Sequence, residues 1–436
     1  MRVDWLKKQN PERIQIVLFR VLFCVAAGII MTRIIGFDTL SSLLYTLTFP
    51  LTVALWLFSV RKGLTWSDLF MLGIGVLAFL FVFLDLIRSG GHFSPSYFKK
   101  VIIFCMSLLF LQTCHRSWTG SCLAEMINRS IDLLTIFMLV MYIFFWDEMH
   151  MINNIVTRYA TFQFPNPNLF ALFVSCLYML KFCLFSNPCS EREKLIRFGV
   201  LIVLAILILD TRSRNALLCF LLFNGLALIY HFRGFIEKKT KFKLPMRIGK
   251  YPALGIAFAP ILFVIFYMLL VNSKLVNLLL GFLSGEGKDL DSRVKTWQPA
   301  IDAIFDSPLI GSYYQISEGT GVSQMHNTHL DLAASYGIPV MVFFCLLLTF
   351  YLYQREKNYS DKKSFFFLLG FICALMLGIF EAALVSGGMG IYLFMGIFLL
   401  LANPNRAEDK VISFGKIKKN IKQVFKGKKT KSYGNQ

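Results

Sequence analysis

Apolar residues in this chain gather into unbroken runs of about one bilayer thickness, each closed by charge, glycine or proline. A helix of about 20 residues rising 1.5 Å per residue covers a hydrocarbon core of about 30 Å. Most runs lack the polar stripe that a helix on a soluble core shows every 3.6 residues. The pattern predicts an all-α fold, a polytopic membrane helix bundle of about twelve transmembrane helices. The spans fall near 14–35, 41–60, 68–87, 97–113, 131–146, 167–186, 196–210, 215–231, 251–272, 336–354, 364–380 and 388–402. Residues 1–402 form the bundle, 403–436 a basic tail, and 273–335 the longest polar stretch between spans, expected to contain short helices.

Composition agrees: 56% hydrophobic against 16% charged residues leaves too little polar surface for a soluble chain of 436 residues. The net charge of +20 raises the question of nucleic acid, which its placement answers. With the N-terminus inside, 32 of the 45 Lys and Arg fall in inner segments and 10 in outer ones, so the excess follows the positive-inside rule. This predicts a cytoplasmic-membrane protein with both termini cytoplasmic, the 273–335 loop outside and no nucleic-acid partner. No cleavable signal is expected, because MRVDWLKKQNPER leads into a full-length apolar run without a small-residue cleavage site. The ten cysteines lie mostly singly inside spans and no Cys/His metal spacing occurs, which disfavours a disulfide framework and a zinc site. In the tail, Phe414, Ile417, Ile421, Val424 and Phe425 recur at helical spacing among lysines. They read as a basic amphipathic helix on anionic membrane lipid or as a solvated tail that fixes topology.

Three polar clusters interrupt the apolar pattern. The first, Asp210-Thr-Arg-Ser-Arg-Asn215, divides 196–231 into two short spans and puts Arg212 and Arg214 at an outer boundary. Arginines there need a partner, either Asp210 or an anionic ligand. The second, DSRVKTW at 291–297, places Arg293 at the start of an amphipathic helix whose apolar positions are Val294, Trp297, Ile301, Ile304 and Phe305. Trp297 reads there as an interfacial anchor. The third, MHNTHLDLAASYG at 325–337, puts His326 and His329 one helical turn apart beside Asp331, leading into the next span. Either histidine could accept a proton or serve structurally, and a zinc pair would lack a defined third ligand. Arginine forks match phosphate oxygens, and a histidine base activates a hydroxyl. Together they suit an acceptor hydroxyl attacking a carbon whose leaving group is a lipid diphosphate, with no metal strictly required.

NPNLFA (166–171), TRSRNALL (211–218), DSRVKTW with IFDSPLIGSYY (291–314) and HNTHLDLAASYGIPV (326–340) carry a resemblance in their order and placement. On these residues the chain resembles the O-antigen ligase and polymerase superfamily of bacterial membrane glycosyltransferases, from about residue 160 to 402. The resemblance implies a metal-independent, inverting enzyme without cofactor, with His326 of the HN pair as general base and Asn327 in support. It also implies that Arg214 and Arg293 bind the diphosphate of an undecaprenyl-linked oligosaccharide, with Arg212 an alternative to Arg214. Glu381 falls where such proteins often carry a polar residue, and His329 has no counterpart. The acceptor implied is a lipid-linked repeat unit for a polymerase, or a lipid A-core sugar for a ligase. A chain-length regulator and a flippase are implied as partners. Arg293 and His326 are only 33 residues apart, a compact segment where many ligases carry a longer excursion, which favours the polymerase. A lipid-linked glycan transporter is the competing class, but it should show an internal repeat, and none is evident.

Overall fold

A computed structural model describes residues 11–61, 63–90, 98–117, 120–152, 155–156, 160–162, 164, 167–185, 190–240, 248–270, 291–313, 327–357, 362–379 and 391–402. The described chain is helical apart from one two-residue antiparallel pairing, Met151–Ile152 (β1) with Ile155–Val156 (β2). Its helices are α1 (Pro11–Ile34), α2 (Asp38–Val60), α3 (Trp66–Arg88), α4 (Lys99–Arg116), α5 (Gly120–Phe144), the short α6 (Trp146–Met149), α7 (Pro167–Phe185) and α8 (Glu191–Asp210). They continue with α9 (Arg214–His231), α10 (Arg233–Thr240), α11 (Lys250–Leu270), α12 (Asp291–Asp306), α13 (Thr328–Lys357), α14 (Lys362–Leu377) and α15 (Ile391–Leu401).

Each of the twelve expected spans falls on one of these helices, and eight helices are long and apolar enough to cross a membrane. Two more, α14 and α15, are shorter apolar helices, while α4 and α8 hold extra charge near their ends. Helix starts obey local chemistry. Thr65 and Asp68 form a capping box at α3, Ser190 and Glu193 one at α8, and Pro167 opens α7, where a missing N–H costs nothing.

The interior lies around α7 and α13, most of whose apolar residues are buried. By contrast α2 and α9 leave apolar faces uncovered, such as Leu43 and Leu57 or Leu218 and Leu221, which a bilayer would cover. Small residues let helices touch. A Cβ on Gly370 would come within 2.3 Å of the Phe398 ring, and one on Gly396 within 2.3 Å of Phe110. At one end of the bundle, buried Asp68 binds Thr65, Gln112 and Arg116, and Tyr351 donates to Gln112 Oε1 at 2.8 Å. This network joins α3, α4 and α13. Buried Lys181 of α7 is likewise met by Asn128 and Asp132 of α5.

The start of α13 departs from expectation. The span placed at 336–354 begins at Thr328, so much of the polar third cluster is helix rather than loop. The helix breaks at Gly337 (φ 81°, ψ 160°), where the backbone lies against the 307–311 turn. Ser312 N donates to Ala334 O at 2.8 Å and Ile338 N to Pro308 O at 2.9 Å. A Cβ on Gly337 would sit 2.1 Å from Leu309 O, so no side chain fits at this φ or in this space. Gly337→Ala is expected to cost about 3 kcal/mol or more, from strain and overlap together. Thermal unfolding of the detergent-purified variant checks this, and an unchanged midpoint would refute the packing argument.

Candidate functional site

The first and third polar clusters meet at one end of the bundle, around the end of α14. A helix leaves its last carbonyls without intrahelical donors, and inside an apolar bundle they need partners. Here Asn215 Nδ2 donates to Leu377 O at 3.0 Å, the Thr328 N–H to Gly378 O at 2.9 Å, and Asn327 Nδ2 to Ile379 O at 2.9 Å. Three successive carbonyls thus hold the TRSRN element and the HNTH element together.

Asn327 does more. Its Oδ1 accepts the Leu330 N–H at 2.9 Å, an N-cap for α13, and its Nδ2 also reaches Pro260 O of α11 at 3.0 Å. The side chain is fully buried. His329 is buried too, with Nε2 2.8 Å from Ala257 O and its ring edge-on to Phe344. That is a structural histidine, consistent with its place outside the catalytic set. His326 and Glu381 lie outside the described residues, as do 273–290, 314–326 and the basic tail.

The turn between α8 and α9 carries both arginines. Thr211 Oγ1 donates to Ile208 O at 2.7 Å and accepts the Ser213 N–H at 3.4 Å, which closes the turn. Arg212 takes φ +51°, a left-handed conformation that costs a non-glycine residue on the order of 1 kcal/mol. The side chains of Arg212 and Arg214 are exposed, and that of Arg212 has no partner among the described residues. Asp210, one of the two partners considered for these arginines, is held by other residues. Asp210 Oδ2 instead accepts from Tyr142 Oη at 2.9 Å and lies 3.0 Å from His150 Nε2. Sequence reading missed Tyr142 and His150, because contacts across 68 and 60 residues leave no local signal.

The second cluster forms α12, with Arg293 in its first turn and that side chain outside the described set. Trp297 is a core residue rather than an interfacial anchor. It is fully buried, with its ring edge-on to Phe263 and Tyr267 of α11. Ala300 and Ala303 complete the buried face against Leu330 and Ala334 of α13. Phe305, expected on the apolar face, is 79% exposed. Beyond α12, Ser307 accepts from Arg88 Nη1 at 2.7 Å while Arg88 Nη2 pairs with Asp85 at 2.8 Å, tying the segment to α3. The Asp85-x-x-Arg88 spacing was the available signal for this brace.

The turn presents the exposed side chains of Arg212 and Arg214, and the Asp210 carboxylate that precedes them in sequence is engaged with Tyr142 and His150. Such an arrangement suits an anionic oxygen ligand. Truncating Asn327 strands two carbonyls and one N–H. Asn327→Ala is expected to lower stability by on the order of 3 kcal/mol, and Asn327→Asp, which keeps only the acceptor, nearly as much. Thermal unfolding of both variants in detergent decides the matter. A wild-type midpoint would remove Asn327 from its joining role.

Comparison with known families then bears on this geometry. Residues 199–345, about a third of the chain, match the family model described as O-antigen ligase. The matched stretch runs from α8 into α13 and contains the TRSRNALL, DSRVKTW and HNTHLDLAASYGIPV elements, but neither NPNLFA nor Glu381. Neither curated proteins nor solved structures returned a match.

Proposed function

We propose, for a chain that through residues 199–345 belongs to the O-antigen ligase/polymerase superfamily, that it is a polysaccharide polymerase of the cytoplasmic membrane. It transfers a glycan from undecaprenyl diphosphate to the non-reducing end of another lipid-linked repeat unit, on the outer face. The observation that carries the reading is the joining of Asn215 and Asn327–Thr328 on three successive carbonyls, Leu377 at the end of α14 and Gly378 and Ile379 just after it. It brings the arginine turn to the residue next to His326.

In this mechanism Arg214 and Arg293 hold the diphosphate, with Arg212 beside them. Guanidinium forks bind its oxygens and offset the charge that grows as it leaves. His326 takes the proton of the acceptor hydroxyl as that oxygen attacks the anomeric carbon. The new C–O bond forms while the bond to the diphosphate breaks, and the lipid diphosphate departs with the electron pair. Attack from the face opposite the leaving group inverts the anomeric centre. Asn327 fixes the backbone beside His326, and Glu381 supports the site from the segment after α14. The outward location follows from the Lys/Arg asymmetry.

The ligase reading stands second, favoured by the description of the matched family. Its acceptor is a lipid A-core sugar. Both reactions share the donor, so the acceptor discriminates. Purified protein given lipid-linked repeat units alone is expected to yield a ladder of products. Product only on addition of lipid A-core would make it a ligase.

His326→Ala is expected to abolish transfer at a normal protein level. Polymer of normal length from that variant would remove the base. Arg214→Lys and Arg293→Lys are each expected to lower turnover on the order of 10- to 100-fold, because a point charge does not replace a fork. For sidedness, Ser317→Cys in a cysteine-free background is expected to react with an impermeant thiol reagent added outside intact spheroplasts. Labelling only from the cytoplasmic side would reverse the topology.

A further inference from the structure

Between α1, α5, α7 and α15 lies a groove of about 450 Å³ that the reaction above does not use. Phe23 and Ile30 of α1, Ile131 of α5, Leu177 of α7 and Phe394 of α15 give it apolar walls. Among the described residues that line it, none is charged and Ser130 alone has a hydroxyl. From Phe23 to Ile30 it follows α1 for about 10 Å, at 1.5 Å per residue. Ala27 and Ser130 remain partly exposed along it, so it opens on the flank of the bundle, where lipid chains rather than water meet it.

One turn beyond Ile30, in the last turn of α1, stands Arg33. Residues three apart share a helix face, so Arg33 continues the wall to which Ile30 belongs. Its guanidinium carbon lies 5.4 Å from the centroid of the Phe164 ring. Phe164 stacks on Phe173 at 6.3 Å, and Phe173 meets Phe394 edge-on at 5.6 Å, so an aromatic row leads from Arg33 into the groove. This is the end of the bundle that carries the arginine turn, because Phe164 N donates to Thr161 O and Ala160 N to Asp210 O. Arg33 Nε is buried without a hydrogen-bond partner, and the side chain has no ion pair among the described residues. A ring face attracts a cation without neutralising it, and a guanidinium at a membrane boundary calls for an anion.

We propose that this groove binds an anionic phospholipid, with an acyl chain lying along α1 and the phosphate on Arg33. Charge selects the occupant. One guanidinium fork matches the single charge of a phosphodiester, whereas a diphosphate calls for more cations than the groove offers. Placement agrees, since α1, α5, α7 and α15 all lie outside residues 199–345, the stretch that matches the family. The site is separate from the proposed diphosphate site and does not depend on it.

The test is lipid binding by the full-length protein, delipidated in a neutral detergent and titrated with phosphatidylglycerol or with phosphatidylcholine of the same chains. Native mass spectrometry counts the bound lipid. Wild type is expected to hold one phosphatidylglycerol about tenfold more tightly than phosphatidylcholine. Arg33→Gln is expected to abolish that preference, and Arg33→Lys, which keeps the charge, to retain most of it. Ser130→Phe fills the groove and is expected to weaken both lipids about tenfold. Ala27→Leu takes its place should Ser130→Phe not accumulate folded. Equal affinity of wild type for the two lipids overturns the proposal, as does an unchanged preference in Arg33→Gln. Undiminished binding by the groove-filling variant overturns it too, because the lipid then sits elsewhere on the bundle. Undecaprenyl diphosphate is the competing probe. If it displaces phosphatidylglycerol at equal concentration, the groove belongs to the lipid diphosphate and the phospholipid assignment falls.

Discussion

The end of α14 needs hydrogen-bond donors from outside itself, and that need organises the site. A carbonyl stranded in an apolar interior costs several kcal/mol, and three in succession could not be left so. They are met by Asn215 from the start of α9 and by Asn327 and Thr328 from the start of α13. Neither element can move away without exposing a carbonyl, so the helix end fixes their distance more firmly than apolar contact would. Asn327 extends the same constraint to α11 through Pro260. Four helices thus meet on a handful of amide groups, and the residues read as chemical lie next to them in sequence.

The spans were legible because the bilayer imposes a length and a polarity that local sequence must satisfy. Ends were less legible, and the start of α13 shows why. His329, Asp331 and Ser335 made 328–335 read as an outer loop, yet the segment is helical and buried within protein. His329 reaches the Ala257 carbonyl and Asn327 caps the helix. A hydropathy window assumes that polar side chains face water and cannot see that they face backbone. In α12 the periodicity was right, with Trp297 buried and Ile301 and Ile304 packed against the same cluster, and Phe305 was the exception. The buried stripe runs through Trp297, Ala300 and Ala303, because small residues permit close approach to α13, whereas bulky Phe305 points away. The pairing of Asp210 with His150 crosses 60 residues, a separation at which sequence offers no pattern to follow.

The two ends of the bundle use polar groups differently. Around Asp68, Gln112, Arg116 and Tyr351 the charges are paired inward, and the network serves to join α3, α4 and α13. At the other end Asp85 pairs with Arg88 and Asp210 with His150, while Arg212 faces outward.

The break at Gly337 divides α13 into a short segment that belongs to the site and a longer one that belongs to the membrane. The short segment is bonded to the 307–312 turn, which Arg88 in turn holds to α3. The longer segment is buried among its neighbours and is held to α4 where Tyr351 donates to Gln112 Oε1. A single glycine thus lets one run of chain answer to two frames, the arm beside Asn327 to the 307–312 turn and the rod beyond it to the centre of the bundle.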